Sequence, residues 1–241
     1  MSDSYGLLVT NNRGTISISS EIKVLVFSER GTFYVKSQNT DRPGYGSYTF
    51  ARPILSKETP QLFLRAQVPN LPSITLYTTM LGGPGNWTGF RVTTGAYGGS
   101  SLQSHLMEFV VCKYTDTRSK DEFGVEIYDK DGKISFSSSD KIIRYSKFTK
   151  QWGKSVGQFA DVYVSGVAID SDDFICVSQF DRGVAWFTDQ ANFASMNILT
   201  NWTPSLNIQV SKTLTNTYVD PTWSYFSIPI CKFPIARYNN P

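Results

Sequence analysis

The densest acidic run in the chain is 170–173, in which Asp170, Asp172 and Asp173 accompany a serine. Three carboxylates this close together could bind a divalent cation, but a complete shell would need further oxygen ligands from elsewhere in the chain. An exposed turn between two strands explains the same run without any ligand. We therefore expect a turn here and assign no metal site.

Two other short runs match ligand-binding loops only in part. Residues 129–132 begin like a calcium loop, but the positions that should supply the later ligands are Ser135 and Ser137. Residues 153–155 end like a phosphate-binding loop, but the glycine required five residues before Gly153 is replaced by Phe148. Turns explain both runs, so we predict no cofactor.

No arrangement of residues indicates covalent catalysis. His105 is the only histidine, and the chain has no Gly-x-Ser-x-Gly elbow that would present a reactive serine. A surface loop explains His105 better than a catalytic role does, and no particular pair of carboxylates suggests glycoside hydrolysis. We assign no catalytic, cofactor-binding or metal-binding residue and predict that the protein is not an enzyme.

The three cysteines, Cys112, Cys176 and Cys231, cannot all pair within one chain, and none belongs to a Cys-x-x-Cys motif. A single histidine leaves no Cys/His set for zinc. We expect the cysteines to behave as small buried hydrophobic residues in a reducing compartment. In particular, the thiols of Cys112 and Cys231 should be buried and reduced.

The 241 residues suffice for one large all-β domain or two domains of about 120 residues each. Charged residues make up only 18% of the chain, and the net charge of +3 is spread without a basic block, so we expect no nucleic-acid partner. No apolar run approaches the ~18 residues that a membrane span needs. Residues 1–6 lack the basic and apolar regions of a secretion signal, so we expect no such signal.

The chain contains an internal repeat. Residues 5–27 align without a gap to residues 123–145 and share seven of 23 positions, where average composition predicts roughly one or two. Asn86-Trp87-Thr88 recurs at 201–203, and residues 111–114 resemble 230–233. The sequence therefore predicts a tandem duplication, with one unit at 1–118 and the other at 119–241. Trp87 and Trp202 should fill equivalent positions in the core.

Each unit opens with a predicted hairpin, because apolar and polar residues alternate on both sides of a turn that ends in Gly14 or Gly132. The best helical candidate, 189–199, is short. About seven short strands in each unit predict an all-β fold of two tandem β-sandwich domains. Further strands are predicted at 61–68, 71–81, 90–94, 107–114, 159–169, 174–180, 184–188, 206–210 and 225–233.

The opening of each unit resembles a family of small structural proteins encoded in the tail modules of tailed bacteriophages. Those proteins begin with Tyr or Phe, then Gly and alternating hydrophobic residues, and continue through a polar turn ending in Gly to a Ser-Ser pair. The resemblance covers residues 5–27 and 123–145. It rests on Tyr5-Gly6, Gly14 and Ser19-Ser20 in the first copy and on Phe123-Gly124, Gly132 and Ser137-Ser138 in the second.

The resemblance implies a structural protein of a phage virion, assembled in the host cytoplasm and placed in the distal tail at the tip, baseplate or fibre-attachment region. It would bind other tail proteins, and the aromatic-rich, charge-poor composition suits such contacts. The alternative function is a receptor-binding module that recognises a host-surface glycan or protein through loops 82–85 and 97–99. An enzyme that degrades surface polysaccharide is a third hypothesis.

The duplication also bears on the oligomeric state. In tailed phages generally, tail tubes commonly have six-fold symmetry and tail tips commonly have three-fold symmetry. Three chains of two units each would present six similar units, so a trimer could bind a six-fold ring with each unit in a nearly equivalent position. We therefore favour a homo-oligomer, a trimer, and keep a monomeric two-domain adaptor as the alternative.

Overall fold

The structure is a computed structural model that describes residues 8–10, 16–19, 23–36, 44–66, 74–96, 105–118, 120–157, 160–178, 194–197, 205–211 and 227–240. The strands of the first half are β1 (Leu8–Thr10), β2 (Ile16–Ser19), β3 (Leu25–Val35), β4 (Gly44–Ile54), β5 (Gln61–Ala66), β6 (Ile74–Gly83), β7 (Asn86–Ala96) and β8 (His105–Tyr114). Those of the second half are β9 (Glu126–Tyr128), β10 (Ile134–Ser137), β11 (Tyr145–Phe148), β12 (Gly153–Val156), β13 (Ala160–Ala168), β14 (Asp173–Cys176), β15 (Ala194–Asn197), β16 (Ser205–Ser211) and β17 (Pro229–Lys232).

Two large antiparallel sheets and two hairpins contain these strands. The six-stranded sheet has the order β11-β17-β14-β5-β8-β3, and the seven-stranded sheet has the order β12-β13-β16-β15-β6-β7-β4. The hairpins are β1-β2 and β9-β10. The prediction of an all-β fold is therefore confirmed. Within the described residues, no helix has the length and apolar character needed to cross a membrane.

Both predicted opening hairpins are confirmed, and they have the same register. Every paired residue of the second hairpin lies 118 positions after its equivalent in the first, and a bulge interrupts each hairpin at the same place. The gapless sequence alignment therefore also describes the backbone pairing. The facing residues are Leu8 with Ser19, Val9 with Ile18 and Thr10 with Ile16, and then Glu126 with Ser137, Ile127 with Phe136 and Tyr128 with Ile134.

The turn of the second hairpin is stabilised by its own residues. Gly132 has a φ of 73°, a left-handed conformation that favours glycine. Asp129 Oδ1 accepts the backbone N–H of Asp131 at 2.9 Å and that of Lys133 at 2.8 Å. A hairpin turn is thus confirmed at 129–132, whereas the equivalent turn at 11–14 lies outside the described residues.

The predicted division into one β-sandwich at 1–118 and another at 119–241 is not confirmed. Both large sheets contain strands from both sides of residue 118. In the six-stranded sheet β5 pairs with β14, with Phe63 opposite Cys176. In the seven-stranded sheet β6 pairs with β15. The two halves of the chain therefore share their sheets.

The six-stranded sheet has a matching strand order from either edge, if β11, β17 and β14 are taken as the counterparts of β3, β8 and β5. From one edge the order is β3-β8-β5, and β14-β17-β11 continues it in reverse. Phe27 of β3 pairs with Cys112 of β8 next to a bulge. Tyr145 of β11, 118 positions later, pairs with Cys231 of β17, again next to a bulge. On either side of the β5-β14 pair the strands therefore follow in matching order, β8 then β3 on one side and β17 then β11 on the other.

This sheet also closes on itself at one end. Val26 of β3 forms an antiparallel bridge with Ile142, which lies just before β11. The Ile143 N–H donates a hydrogen bond to the Leu25 carbonyl at 3.1 Å. The closure covers part of the backbone edge that an open sheet would expose.

Side chains of the six-stranded sheet alternate between two cores, because successive residues of a strand point to opposite faces. Its central strands are therefore buried on both faces and read as unbroken apolar runs. The first core, shared with the seven-stranded sheet, includes Leu62, Leu64, Phe90, Phe109, Val111, Tyr163, Ile175 and Ile230. The second core, on the other face, includes Phe63, Val110, Cys112, Phe174, Cys176 and Cys231.

The segment 233–240 covers the second core. Phe233 and Tyr238 are buried there, with ring centroids 5.2 Å apart. The Arg30 guanidinium donates hydrogen bonds to the carbonyls of both residues, at 3.0 and 3.1 Å. The Asn240 side chain accepts the Arg30 N–H at 2.8 Å and donates to the Arg30 carbonyl at 2.9 Å. These bonds fasten the segment to β3.

Several local predictions are wrong, and tertiary pairing explains why. His105 begins β8 rather than lying in a loop, and residues 153–155 belong to β12 rather than to a turn. The helical prediction at 189–199 fails over β15, which pairs with strands on both sides. Its other residues, and the strand predicted at 184–188, lie outside the described residues. The patterns also do not predict β3, β4, β11 or β12; β12 is a fully exposed edge strand without apolar alternation.

The predicted burial of the repeated core residues is confirmed where the structure describes them. Trp87 is buried, and its Nε1–H donates to the Ser56 carbonyl at 3.0 Å. Cys112 and Cys231 are buried, and both are free thiols. Trp202 lies outside the described residues.

Substituting Cys112 or Cys231 with alanine should lower the free energy of unfolding by about 1–2 kcal/mol per site, because each change removes a buried sulfur. Burial raises the pKa of Cys231 to about 12 and that of Cys112 well above its ordinary value, so both thiols should react slowly in the folded protein. Urea unfolding measures the first effect, and labelling with a thiol-reactive dye measures the second. Rapid labelling of the folded protein, or a disulfide between these cysteines, would contradict the prediction.

Candidate functional site

The acidic run 170–173 forms the turn between β13 and β14, as expected, but one of its carboxylates is buried. The Asp173 side chain is inaccessible to solvent, while those of Asp170 and Asp172 are about half exposed. Asp173 Oδ2 accepts the Asp170 N–H at 2.8 Å, which fixes the turn. Among the described residues, these three are the only group of His, Cys, Asp or Glu side chains whose ligand atoms converge.

Two lysines from neighbouring strands offset most of the negative charge of this turn. Lys147 Nζ donates to Asp170 Oδ2 at 2.9 Å and to Asp173 Oδ2 at 2.7 Å. Lys232 Nζ donates to Asp170 Oδ2 at 3.0 Å and to Asp172 Oδ1 at 2.5 Å. It also lies 3.8 Å from Asp173 Oδ1, which accepts no hydrogen bond. Two ammonium groups thus hold three carboxylates in an ion-pair network, which fixes the turn against β11 and β17.

The ion pairs of this network shift the pKa values of its aspartates and of Lys147. Hydrogen bonds from Lys147 and Lys232 lower the pKa of Asp170, and the bond from Lys232 lowers that of Asp172. Burial alone would lower the pKa of Lys147, but its hydrogen bonds to Asp173 and Asp170 outweigh burial and raise it. The stability from Asp170 and Asp172 is therefore present above an ordinary carboxyl pKa of about 4 and is lost as the pH falls through their lowered values.

The repeat places the opposite charge at the position equivalent to Lys147. Glu29 lies 118 residues earlier, follows the equivalent bulge in β3 and is buried. Its carboxylate accepts the Tyr48 hydroxyl at 2.7 Å and the Ala51 N–H at 3.0 Å, both on β4. Burial, and then the hydrogen bond to Glu29, raise the pKa of Tyr48 to about 12. In each half, the charged residue after the bulge therefore bonds to a neighbouring segment, but the charge is negative at Glu29 and positive at Lys147.

A polar cleft of about 870 Å³ lies where residues 114–118, the start of the connector between the halves (114–122), meet the second hairpin. Side chains from three segments line it: 55–58 after β4, 114–118 at the end of β8, and 128–134 in the β9-β10 hairpin, with Lys23 beside them. The segments are far apart in sequence and contain no shared motif, so sequence reasoning misses this site. The only hint was the predicted turn at 129–132.

Hydrogen bonds hold the walls of the cleft. The Ser56 carbonyl accepts Trp87 Nε1–H at 3.0 Å and the Gly85 N–H at 2.9 Å. The Leu55 N–H donates to Asp116 Oδ2 at 2.8 Å, which joins the first wall to the connector. The third wall is the hairpin whose turn is closed by its own aspartate. The cleft is therefore formed before any ligand binds.

Every carboxylate that lines the cleft is already engaged. Glu58 pairs with Lys23 at 3.4 Å, and Asp116 pairs with Lys113. Asp129 accepts two backbone hydrogen bonds from its own turn. The backbone bond from residue 133, and then the nearby positive charges, lower the pKa of Asp129. Asp129 keeps its negative charge, since its hydrogen-bond donors are neutral amides, whereas Glu58 and Asp116 are held in ion pairs.

The cations of the cleft are only partly neutralised. Arg118 pairs with Glu126, outside the lining, at 3.0 Å. Lys57 and Lys133 are exposed and form no ion pair with any residue that the structure describes. These two ammonium groups make the cleft suited to an anionic group.

The loops proposed as an aromatic platform do not supply one where they are described. The turn 82–85 joins β6 to β7 and contains only glycine and proline, with Gly82 and Gly85 at positive φ. The neighbouring Trp87 is buried. Residues 97–99 lie outside the described residues.

No protein-family model, curated protein or solved structure matches this chain. The class of the protein is therefore described by its own geometry. It is an all-β protein whose halves share two large sheets, with a polar cleft between the connector and the second hairpin.

Replacing Lys147 with methionine should lower the free energy of unfolding by about 3 kcal/mol, because Asp173 would remain buried without its hydrogen-bonded counter-ion. The matched control is Asp172→Asn, which removes an exposed carboxylate from the same network and should cost less than about 1 kcal/mol. Urea unfolding at neutral pH measures both changes. Equal destabilisation by the two substitutions would show that the buried pair has no special role.

Proposed function

We propose that the protein is a structural component of a tailed-phage virion, in the distal tail at the tip, baseplate or fibre-attachment region. It acts by binding other tail proteins, without catalysis, and is assembled in the host cytoplasm. The observation that carries this proposal is the pair of opening hairpins, which bear the tail-module motif and share one register at an offset of 118.

In the second hairpin, some residues of the motif stabilise the hairpin itself and others are exposed to solvent. Ser138 Oγ accepts the Val125 N–H at 2.9 Å, and the Ser138 N–H donates to the Val125 carbonyl at 2.9 Å. A Cβ atom on Gly124 would lie 2.6 Å from Ser138 Oγ, so glycine suits that position. Phe123 is 88% exposed and Val125 is 55% exposed. These two apolar side chains are the part of the motif that is accessible to a protein partner.

We further propose that the chain is a tandem duplication of units 1–118 and 119–241, whose β-sandwiches have merged into shared sheets. The reversed strand order and the equivalent bulges support this. A homotrimer of such a chain presents six similar units, which can meet a six-fold ring through approximate equivalence.

The second candidate function is a receptor-binding module for a host-surface glycan or protein. The polar cleft supports it, because Lys57 and Lys133 line the cleft without an ion pair to any described residue and suit an anionic ligand.

Phe123→Ala should reduce incorporation of the protein into tail particles several-fold, because it removes the exposed anchor. The free energy of unfolding should change by less than about 0.5 kcal/mol, since the side chain is almost fully exposed. Quantitative mass spectrometry of purified particles measures incorporation. Tyr34→Ala, which removes an exposed aromatic outside the motif, is the control and should be incorporated normally. Normal incorporation of the Phe123 variant would refute the anchoring role.

Particles that contain the chain should show three copies around the tail axis, each contributing two similar units. Cryo-electron microscopy of purified particles tests this. Six independent copies, or a single copy, would rule out the trimer. Absence of the chain from purified particles would contradict the proposed place in the virion.

A further inference from the structure

The charge of the polar cleft selects the kind of ligand it can hold. Four cationic side chains line it against three carboxylates, and each carboxylate already has a partner. Lys57 and Lys133 remain without an ion pair among the described residues. An anionic group in the cleft that reached either ammonium would gain a charge-assisted hydrogen bond without breaking an existing ion pair.

The lining also combines polar side chains with apolar surface. Its aliphatic members are Leu55 and Ile134, and Ile134 is buried. The lining therefore offers apolar surface as well as polar groups, which suits a ligand that has both hydroxyl groups and apolar ring faces. Its volume of about 870 Å³ lies within the usual range of small-ligand sites, roughly 300–1,000 Å³.

Two tyrosines add surfaces on which a ring can pack. Tyr114 and Tyr128 line the cleft, and Tyr128 is 42% exposed. The Tyr128 hydroxyl donates to Glu126 Oε2 at 2.5 Å, which holds the ring in place. Sugar rings have apolar faces that pack on aromatic rings and hydroxyls that bond to polar side chains. Anionic, hydrophilic and ring-containing ligands include the acidic oligosaccharides.

We propose that this cleft binds an acidic oligosaccharide. Lys57 and Lys133 contact its anionic groups, and Tyr114 and Tyr128 pack against its sugar rings. The walls are preformed by hydrogen bonds to Ser56 and Asp116, so binding requires little ordering of the protein. The site adds a ligand to the receptor-binding hypothesis, but it does not depend on where the protein lies in a virion.

Isothermal titration calorimetry of the full chain tests the proposal with four probes: trigalacturonate, maltotriose, tetraglutamate and inorganic phosphate. Trigalacturonate should bind at low ionic strength, and added salt should weaken its binding. Lys57→Gln and Lys133→Gln should each weaken binding about tenfold, the loss of one charge-assisted contact. Lys130→Gln is the matched control, because Lys130 lies in the same turn but outside the lining.

Each alternative outcome overturns a stated part of the proposal. Equal binding of maltotriose would refute the role of charge, and equal binding of phosphate or tetraglutamate would refute the saccharide class. Binding that is insensitive to both lysine substitutions would place the ligand elsewhere. No binding of trigalacturonate at millimolar concentration would refute the site itself. Incorporation of the lysine variants into particles is a separate readout, so failure here leaves the proposed structural function standing.

Discussion

The pairing of β5 with β14 is the contact on which the rest of the structure depends. It joins the halves into one six-stranded sheet, with Phe63 opposite Cys176 at the centre. Both strands are buried on both faces, so each contributes side chains to both cores. Separating the halves would expose an unpaired strand edge and two apolar faces together. We therefore expect neither half to be stable as an independent sandwich.

Around this pair, the halves share the register of their hairpins and the bulged pairing of β3 with β8 and of β11 with β17, but they differ in their side chains. Cys112 and Cys231 occupy equivalent buried positions, because a small apolar group packs equally well in both places. Glu29 and Lys147 follow equivalent bulges with opposite charges, because one meets donors on β4 and the other meets the acidic turn 170–173. Packing constrains the residues at the shared buried positions, whereas the sign of each charge depends on the groups that it contacts.

The surfaces proposed to bind partners lie near the connector between the halves. Phe123 is exposed just after the connector, while the polar cleft lies between the connector, the segment 55–58 and the second hairpin. A virion contact at Phe123 and a ligand in the cleft use different side chains. Both functions can therefore belong to one molecule. The second hairpin takes part in both, because it carries the motif and also forms a wall of the cleft.

The sequence by itself determined the all-β class, the presence of two equivalent opening hairpins and the burial of Trp87, Cys112 and Cys231. These follow from alternation along a strand and from comparison of the chain with itself. It did not predict β12 or β15, whose conformation depends on pairing with distant strands rather than on their own periodicity. Only the tertiary structure decided that the halves share their sheets and that three separated segments form a cleft. Such contacts join residues far apart in the chain, and local patterns carry no information about which segments will meet.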